Sequence, residues 1–142
     1  MYEDIMDFKA RALEEINRAR RYLSFVSLVS FDISHIKQDD EIENFDSIRT
    51  FHDAVRGLIS DSIRETDLVS TVHDGKISVL LVETPKEGAE VFSERLKKTI
   101  KYFIYNNAKS PFNWRVGSRE AYFPGSVNKT DSFIDAVKDL NN

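Results

Sequence analysis

The residues best suited to chemistry in this chain form the short polar segment His73-Asp74-Gly75-Lys76. It separates two runs of branched apolar residues, Leu68 to Val72 and Ile77 to Val82, which are typical of buried strands. Asp-Gly between such runs predicts a tight hairpin, because the turn requires positive φ angles. A hairpin tip between buried strands is a rigid support for ionisable side chains. The sequence therefore indicates a candidate active centre at this tip.

The composition predicts one globular domain spanning residues 1–142, with 41% hydrophobic and 31% charged residues. A formal net charge of −4 gives no general attraction to nucleic acid or to anionic membranes. Cysteine is absent, which excludes disulfides and thiolate metal sites. The N-terminal segment lacks the apolar centre of a signal peptide, and no apolar run is long enough to cross a bilayer. We therefore expect a cytoplasmic protein with no nucleic-acid or membrane partner.

The segments before the hairpin alternate between helical and strand-like patterns. Residues 2–22 predict an amphipathic helix, consistent with one that continues from an upstream domain, with a stripe of Ile5, Ala12, Ile16 and Ala19. Leu23 to Ile33 predicts a strand that carries Asp32 at its end and buries Phe25, Val29 and Phe31 on one face. A loop with an acidic cluster follows (Asp39, Asp40, Glu41, Glu43), and we interpret the cluster as solvated. A second helix runs from Ile48 to about Arg64.

After the hairpin, Pro85 precedes a third helix with Phe92, Leu96, Ile100 and Phe103 on its apolar stripe. The sequence then predicts a short strand over Trp114 to Gly117, a turn at Phe123-Pro124-Gly125 and a last helix from Phe133 to Leu140. The order α-β-α-β-β-α-β-α predicts an antiparallel or mixed sheet with helices packed on it. It is related to the ferredoxin-like split βαβ arrangement.

Several segments resemble the GGDEF domain of diguanylate cyclases: NRARRY, SLVSFDISHIK, SIRETDLVSTVHDGKISVLLVE and FSERLKKTI. They follow the family's order and spacing, without a gap from Asp32 through Arg95, and the resemblance covers nearly the whole chain. It implies an α/β (α+β) fold of the nucleotide-cyclase palm type. Such a fold has a ferredoxin-like core, with a central mixed, mostly antiparallel five-stranded sheet flanked by helices.

The resemblance also implies that the catalytic signature is degenerate. His73-Asp74-Gly75-Lys76-Ile77 stands where active members carry Gly-Gly-Asp/Glu-Glu-Phe, so side chains occupy positions where glycine lets the nucleotide approach. Lys76 replaces the glutamate that binds Mg²⁺, a cation that prefers carboxylate oxygens. Like charges in contact repel by about 4 kcal/mol at an effective dielectric of about 20. We therefore expect no catalytic residue here, and Asp32 remains as a vestigial metal ligand.

Other family positions differ as well. Ser34 replaces the second acid after Asp32, while Asp40 and Arg49 fall where the family reads guanine with asparagine and aspartate. The phosphate-contacting lysine and arginine are absent or lie beyond Asn142. The resemblance thus implies a catalytically inactive signalling module with no cofactor, in which Mg²⁺ matters only if residual cyclase activity exists.

A second family site is present in the sequence. Arg64-Glu65-Thr66-Asp67 has the RxxD form of the inhibitory product site, and Arg95 falls where the family places a further arginine. Arginine pairs with phosphate or guanine, and aspartate accepts from guanine N–H groups, so these residues suit cyclic di-GMP. The structural alternatives are that Arg64 interacts with a helix C-terminus and that Arg95 is a solvated residue.

Three functions remain open from the sequence. The first is a sensor of cyclic di-GMP that uses Arg64, Asp67 and Arg95. The second is a dimerisation or protein-interaction module without nucleotide binding, whose partner is a second copy or another signalling protein. The third is a weak cyclase that makes cyclic di-GMP from two GTP molecules. A metal other than Mg²⁺, held by His35, His73 and Asp74 near Asp32, is a further alternative.

Overall fold

The computed structural model describes residues 2–35, 45–108, 113–124, 136–138 and 140. The chain begins with strand β1 (Tyr2–Glu3), helix α1 (Ile5–Tyr22), strand β2 (Val26–His35) and helix α2 (Phe45–Ser60). The hairpin strands β3 (Leu68–Ser70) and β4 (Lys76–Val82) follow, and then helix α3 (Lys86–Asn107) and strand β5 (Trp114–Phe123). Residues 136–138 are helical.

All strands belong to one sheet with the order β1-β3-β4-β2-β5. β3, β4, β2 and β5 pair antiparallel with their neighbours, whereas the two-residue β1 lies parallel to β3. The predicted mixed, mostly antiparallel sheet flanked by helices is therefore present. The five strands implied by the resemblance correspond to four antiparallel strands and the short parallel addition β1.

Both faces of the sheet are covered, because successive side chains along its strands belong alternately to two apolar clusters. Val29, Phe31 and Ile33 of β2 face a core that includes residues of α2 and α3. Val26 and Leu28 face the opposite core, which is shared with α1. The α1 stripe consists of Phe8, Ala12, Ile16 and Ala19, all buried, so Phe8 replaces Ile5 as its first buried member. Burial of each large side chain contributes about 1.5–3 kcal/mol.

The N-terminal prediction of a helix over residues 2–22 is wrong at its start. Asp4 caps α1 by accepting hydrogen bonds from the backbone N–H groups of Met6 and Asp7, each at 2.9 Å. Tyr2 and Glu3 therefore precede the helix, and they pair with β3 instead. Long-range pairing in this segment overrides the helical pattern.

The first long strand begins later and ends later than predicted. Leu23 ends α1 in the left-handed conformation (φ 54°) and is 91% exposed. Phe25, which was predicted on the buried face of the strand, precedes β2 and is 44% exposed. β2 continues past Asp32 to His35 because β5 pairs with it along its whole length, from Val26↔Phe123 to His35↔Trp114. For the same reason, the predicted short strand Trp114 to Gly117 is ten residues long.

The second helix ends at Ser60 rather than near Arg64. Its connection to β3 is closed by a turn in which the backbone N–H of Asp67 donates to the carbonyl of Arg64 at 3.0 Å. The acidic cluster from Asp39 to Glu43 and half of the predicted last helix lie outside the described residues. No helix in the described ranges is both long and apolar enough to cross a membrane.

Candidate functional site

The predicted hairpin is confirmed, with its tip at Asp74 and Gly75. Both residues have positive φ (51° and 73°), and His73 and Lys76 exchange two backbone hydrogen bonds of 2.9 Å. The carbonyl of Gly75 accepts a hydrogen bond from the N–H of Ile33 at 2.8 Å, which docks the tip on β2. A Cβ at Gly75 would lie 2.7 Å from the carbonyl oxygen of Ile33, so this position requires glycine.

Lys76 lies directly opposite Asp32 in the antiparallel ladder between β4 and β2. Directly opposed residues share a face of the sheet, with Cβ atoms about 4.5–5.5 Å apart. One step along the same face, Ser30 opposes Ser78, and their hydroxyl oxygens are 3.1 Å apart. The position that would have to supply a second metal-binding carboxylate beside Asp32 therefore holds an ammonium group.

An open cavity of about 550 Å³ lies over this part of the sheet. β5 pairs with the edge of β2 that does not contact β4. On β5, Arg119 is the direct partner of Ser30, and Gly117 is the direct partner of Asp32. The lining also includes apolar residues of the sheet and of the C-terminal helical segment: Leu28, Ala121, Ala136 and Leu140. The cavity thus joins a polar end around Asp32 and Lys76 to an apolar wall.

The structure does not bring together the histidine-containing metal site considered from the sequence. His35 packs against Trp114 at a ring separation of 4.9 Å, on the face opposite that of Asp32. His73 lies 3.7 Å from the exposed carboxylate of Asp74 at the tip. Within the described ranges, no group of three or more His, Cys, Asp or Glu side chains is arranged to hold a metal.

Arg64 and Asp67 are bound to each other. The Arg64 guanidinium donates to both carboxylate oxygens of Asp67, at 3.1 Å each, and the Arg64 backbone N–H donates to Oδ2 at 3.0 Å. Oδ1 also accepts from the backbone N–H of Val82 at 3.0 Å. Arg64 additionally donates to the carbonyl of Val82 and to Oγ1 of Thr84. The pair therefore ties the connection before β3 to the end of β4.

The two partners differ in exposure. The side chain of Asp67 is 2% exposed, whereas that of Arg64 is 57% exposed. The hydrogen bonds to Asp67 raise the pKa of Arg64 above its ordinary value, so the guanidinium stays charged at every accessible pH. The Val82 and Thr84 contacts could not have been inferred from the sequence, because they lie 18 and 20 positions away from Arg64.

Arg95 is exposed on α3, where its guanidinium lies 6.0 Å from the ring centre of Phe92. No hydrogen bond or ion pair among the described residues joins Arg95 to Arg64 or to Asp67. Of the three residues predicted as one ligand site, Arg64 and Asp67 thus form an ion pair and Arg95 is an exposed residue of α3.

His52 of α2 is a site-adjacent residue that the sequence did not single out. Its Nε2 lies 3.0 Å from the carbonyl oxygen of Ile33, the same atom that a side chain at Gly75 would strike. Burial lowers the pKa of His52, which favours the neutral ring and Nε2–H as the donor. Its ring also meets Trp114 edge-on at 5.8 Å, so His52 connects α2 to the hairpin end of the sheet.

No protein-family model and no curated protein matches the sequence. Solved structures do match it. The diguanylate cyclase SiaD from Pseudomonas aeruginosa, in complex with its activator SiaC, superimposes on 96% of this chain with a TM-score of 0.72 and 17% identity. This chain spans 55% of that SiaD chain.

Two further solved structures agree with this match. A DGC protein from Thermotoga maritima has a TM-score of 0.68 and 14% identity over 97% of this chain and 94% of its own. The active GGEEF domain of a diguanylate cyclase from Vibrio cholerae has a TM-score of 0.68 and 15% identity over 86% of this chain and 77% of its own. The chain therefore has the fold of the GGDEF domains of diguanylate cyclases.

Proposed function

We propose that this chain is a signalling module with the GGDEF fold that does not join two GTP molecules into cyclic di-GMP. The observation that carries the proposal is the pairing of Lys76 with Asp32 across adjacent strands. Phosphoryl chemistry on GTP depends on Mg²⁺, which needs clustered oxygen ligands and is repelled by an ammonium group. His73 and Asp74 add side chains at the tip, where a nucleotide would have to approach the backbone.

The first test is metal binding by the unmodified chain. Calorimetric titration with MgCl₂ and MnCl₂ is expected to give no saturable heat in the millimolar range, and thermal unfolding is expected to be unchanged by either ion. Saturable binding that is lost in Asp32→Ala would overturn the proposal and restore the weak-cyclase alternative.

We further propose that the module senses cyclic di-GMP through Arg64 and Arg95, with Asp67 holding the Arg64 guanidinium in place. The support is that Arg64 remains 57% exposed while its orientation is fixed by two hydrogen bonds to a buried carboxylate. A guanidinium fixed in this way loses little rotamer freedom when it binds phosphate or guanine. The exposed Glu83 nearby opposes a dianionic ligand, which sets a limit on the affinity.

A protein-interaction module is the second candidate, and one surface favours it. Tyr22, Leu23 and Phe25 at the junction of α1 and β2 are 66%, 91% and 44% exposed, and a cavity of about 330 Å³ adjoins them. Clustered exposed apolar groups mark interaction sites more often than scattered ones do. Self-association detected by sedimentation, lost in Leu23→Ser, would favour this candidate over nucleotide sensing.

A further inference from the structure

The cavity over the hairpin end of the sheet carries more positive than negative charge. Lys76 and Arg119 line it from the strands on either side of β2, and Asp32 contributes the one carboxylate among the described residues whose side chain shares this face. Glu120 also lines the cavity, but its side chain lies on the opposite face of the sheet. Its carboxylate is 3.5 Å from the hydroxyl of Ser118, and that hydroxyl accepts a hydrogen bond of 3.0 Å from Ser93 of α3. The cavity is thus better suited to an anion than to a cation.

Two serine residues lie on the same face of the sheet as the two cationic residues. Ser30 opposes Ser78 on one side and Arg119 on the other, so the three residues lie in one row across three strands. The two serine hydroxyls share one hydrogen bond of 3.1 Å, which leaves one O–H to donate to a ligand. Together with the ammonium and guanidinium groups of Lys76 and Arg119, it forms a donor set suited to phosphate or carboxylate oxygens. Gly117 leaves open space beside them, because a Cβ there would meet nothing within 4 Å.

The rest of the cavity is apolar. Leu28 and Ala121 line its floor, and Ala136 and Leu140 line the wall formed by the C-terminal helical segment. Its volume of about 550 Å³ lies within the range of small-molecule sites, which is about 300–1,000 Å³. Free inorganic phosphate would leave this wall uncovered, whereas an anion on a ring or short apolar chain would cover it.

We infer that this cavity binds a small organic anion directly, without a metal ion. The phosphate or carboxylate head lies at Lys76, Arg119 and the remaining O–H of the serine pair, and the apolar body lies against Leu28 and Ala136. The inference rests on the proposed function, because a metal at Asp32 would occupy the same polar end. Asp32 then has the opposite effect from that of a metal ligand: it weakens binding of the anion by repulsion.

The test uses phenyl phosphate and inorganic phosphate as probes in EDTA, with binding followed by calorimetry. Phenyl phosphate is expected to bind saturably and more tightly than inorganic phosphate. Arg119→Gln is expected to weaken phenyl phosphate binding about tenfold, since a charge-assisted contact is lost. Lys98→Gln, an exposed position on α3 outside the cavity, is the matched control and should leave the affinity unchanged.

Asp32→Asn is the most discriminating variant, because an anion site and a metal-dependent site predict opposite changes in the affinity for phenyl phosphate. An anion site predicts tighter binding of phenyl phosphate in EDTA, whereas a metal-dependent site predicts lost binding. No binding with or without Mg²⁺, or equal losses in Arg119→Gln and Lys98→Gln, would overturn the inference and leave the proposed function standing. Binding that requires Mg²⁺ and disappears in Asp32→Asn would overturn both.

Discussion

Lys76 of β4 and Asp32 of β2 are direct partners in the antiparallel ladder at the end of the sheet that carries the hairpin tip. The tip is a tight turn with positive φ at Asp74 and Gly75, and the Gly75 carbonyl docks it on β2. A pair of carboxylates would attract a divalent cation, and a carboxylate beside an ammonium group neutralises itself instead.

Replacement of Lys76 by glutamate is expected to create metal affinity. Two opposed carboxylates on one face repel each other, so Lys76→Glu should lower the melting temperature in EDTA, and Mg²⁺ or Mn²⁺ should restore it. Thermal unfolding with and without metal measures both effects. Lys98→Glu carries the same charge change on an exposed helix face and should show neither. A metal response of equal size in both variants would contradict the account of this site.

Loss of the Asp67 carboxylate is expected to destabilise the fold. Asp67→Ala removes the acceptor for four hydrogen bonds and leaves the N–H of Val82 and the Arg64 guanidinium without it. We expect the free energy of unfolding to fall by about 3 kcal/mol, as for other buried charged acceptors. Chemical denaturation measures this loss, and Glu65→Ala, an exposed carboxylate in the same turn, serves as the control. A loss no larger than that of the control would show that the Arg64–Asp67 pair does not stabilise the fold.

Replacement of Arg95 separates ligand binding from stability. Arg95 is exposed, so Arg95→Gln should change the free energy of unfolding by less than about 0.5 kcal/mol. If Arg95 contacts cyclic di-GMP, the same change should weaken binding about tenfold or more, since a bidentate contact contributes about 1–3 kcal/mol. Calorimetric titration with cyclic di-GMP compares Arg95→Gln with Lys98→Gln. An isotherm unchanged from that of the unmodified chain would exclude Arg95 from the site.

Glycine at the hairpin tip is required by both conformation and space. Gly75→Ala places a Cβ 2.7 Å from the carbonyl oxygen of Ile33 at a φ of 73°, so we expect a loss of about 1–3 kcal/mol. Gly117→Ala is the matched control on β5, where a Cβ would meet nothing within 4 Å. Urea denaturation of the two variants should differ clearly, and equal stabilities would argue against the docking of the tip on β2.

Stability should depend on pH through His52. Burial lowers its pKa in the folded state below 6.5, so the unfolded chain binds more protons between the folded pKa and the unfolded value. The free energy of unfolding should therefore fall as the pH decreases from about 6.5 through that interval. His52→Gln keeps a donor for the Ile33 carbonyl and should flatten this slope. An identical slope in His52→Gln would assign the pH dependence to other groups.

Local features of the fold were predictable from the sequence, and non-local ones were not. Asp74-Gly75 specifies its turn through φ angles alone, so the hairpin followed from the residues themselves. The length of β5 is set by its register with β2, and Tyr2–Glu3 is a strand because it pairs with distant β3. Neither pairing leaves a local pattern that could override the helical or loop-like character of the segments.

The candidate sites show the same division. The family resemblance implied that Lys76 replaces a metal-binding carboxylate, and the structure places Lys76 directly opposite Asp32. Arg64 and Asp67 were predicted as ligand groups, and in the structure they form hydrogen bonds with each other and with Val82. The contact with Val82 is distant in sequence, so it could not be predicted from the local pattern. Arg119 lines the cavity because of the register between β5 and β2, and the sequence around Arg119 does not predict this position.

The most direct measurement of the central claim is a product assay with GTP. The chain at high concentration is incubated with GTP and Mg²⁺ or Mn²⁺, and the nucleotides are separated by chromatography, with an active diguanylate cyclase as the positive control. We expect no cyclic di-GMP and no release of pyrophosphate above the rate without protein, because Lys76 opposes metal binding at Asp32. Formation of cyclic di-GMP that disappears in Asp32→Ala would contradict the account.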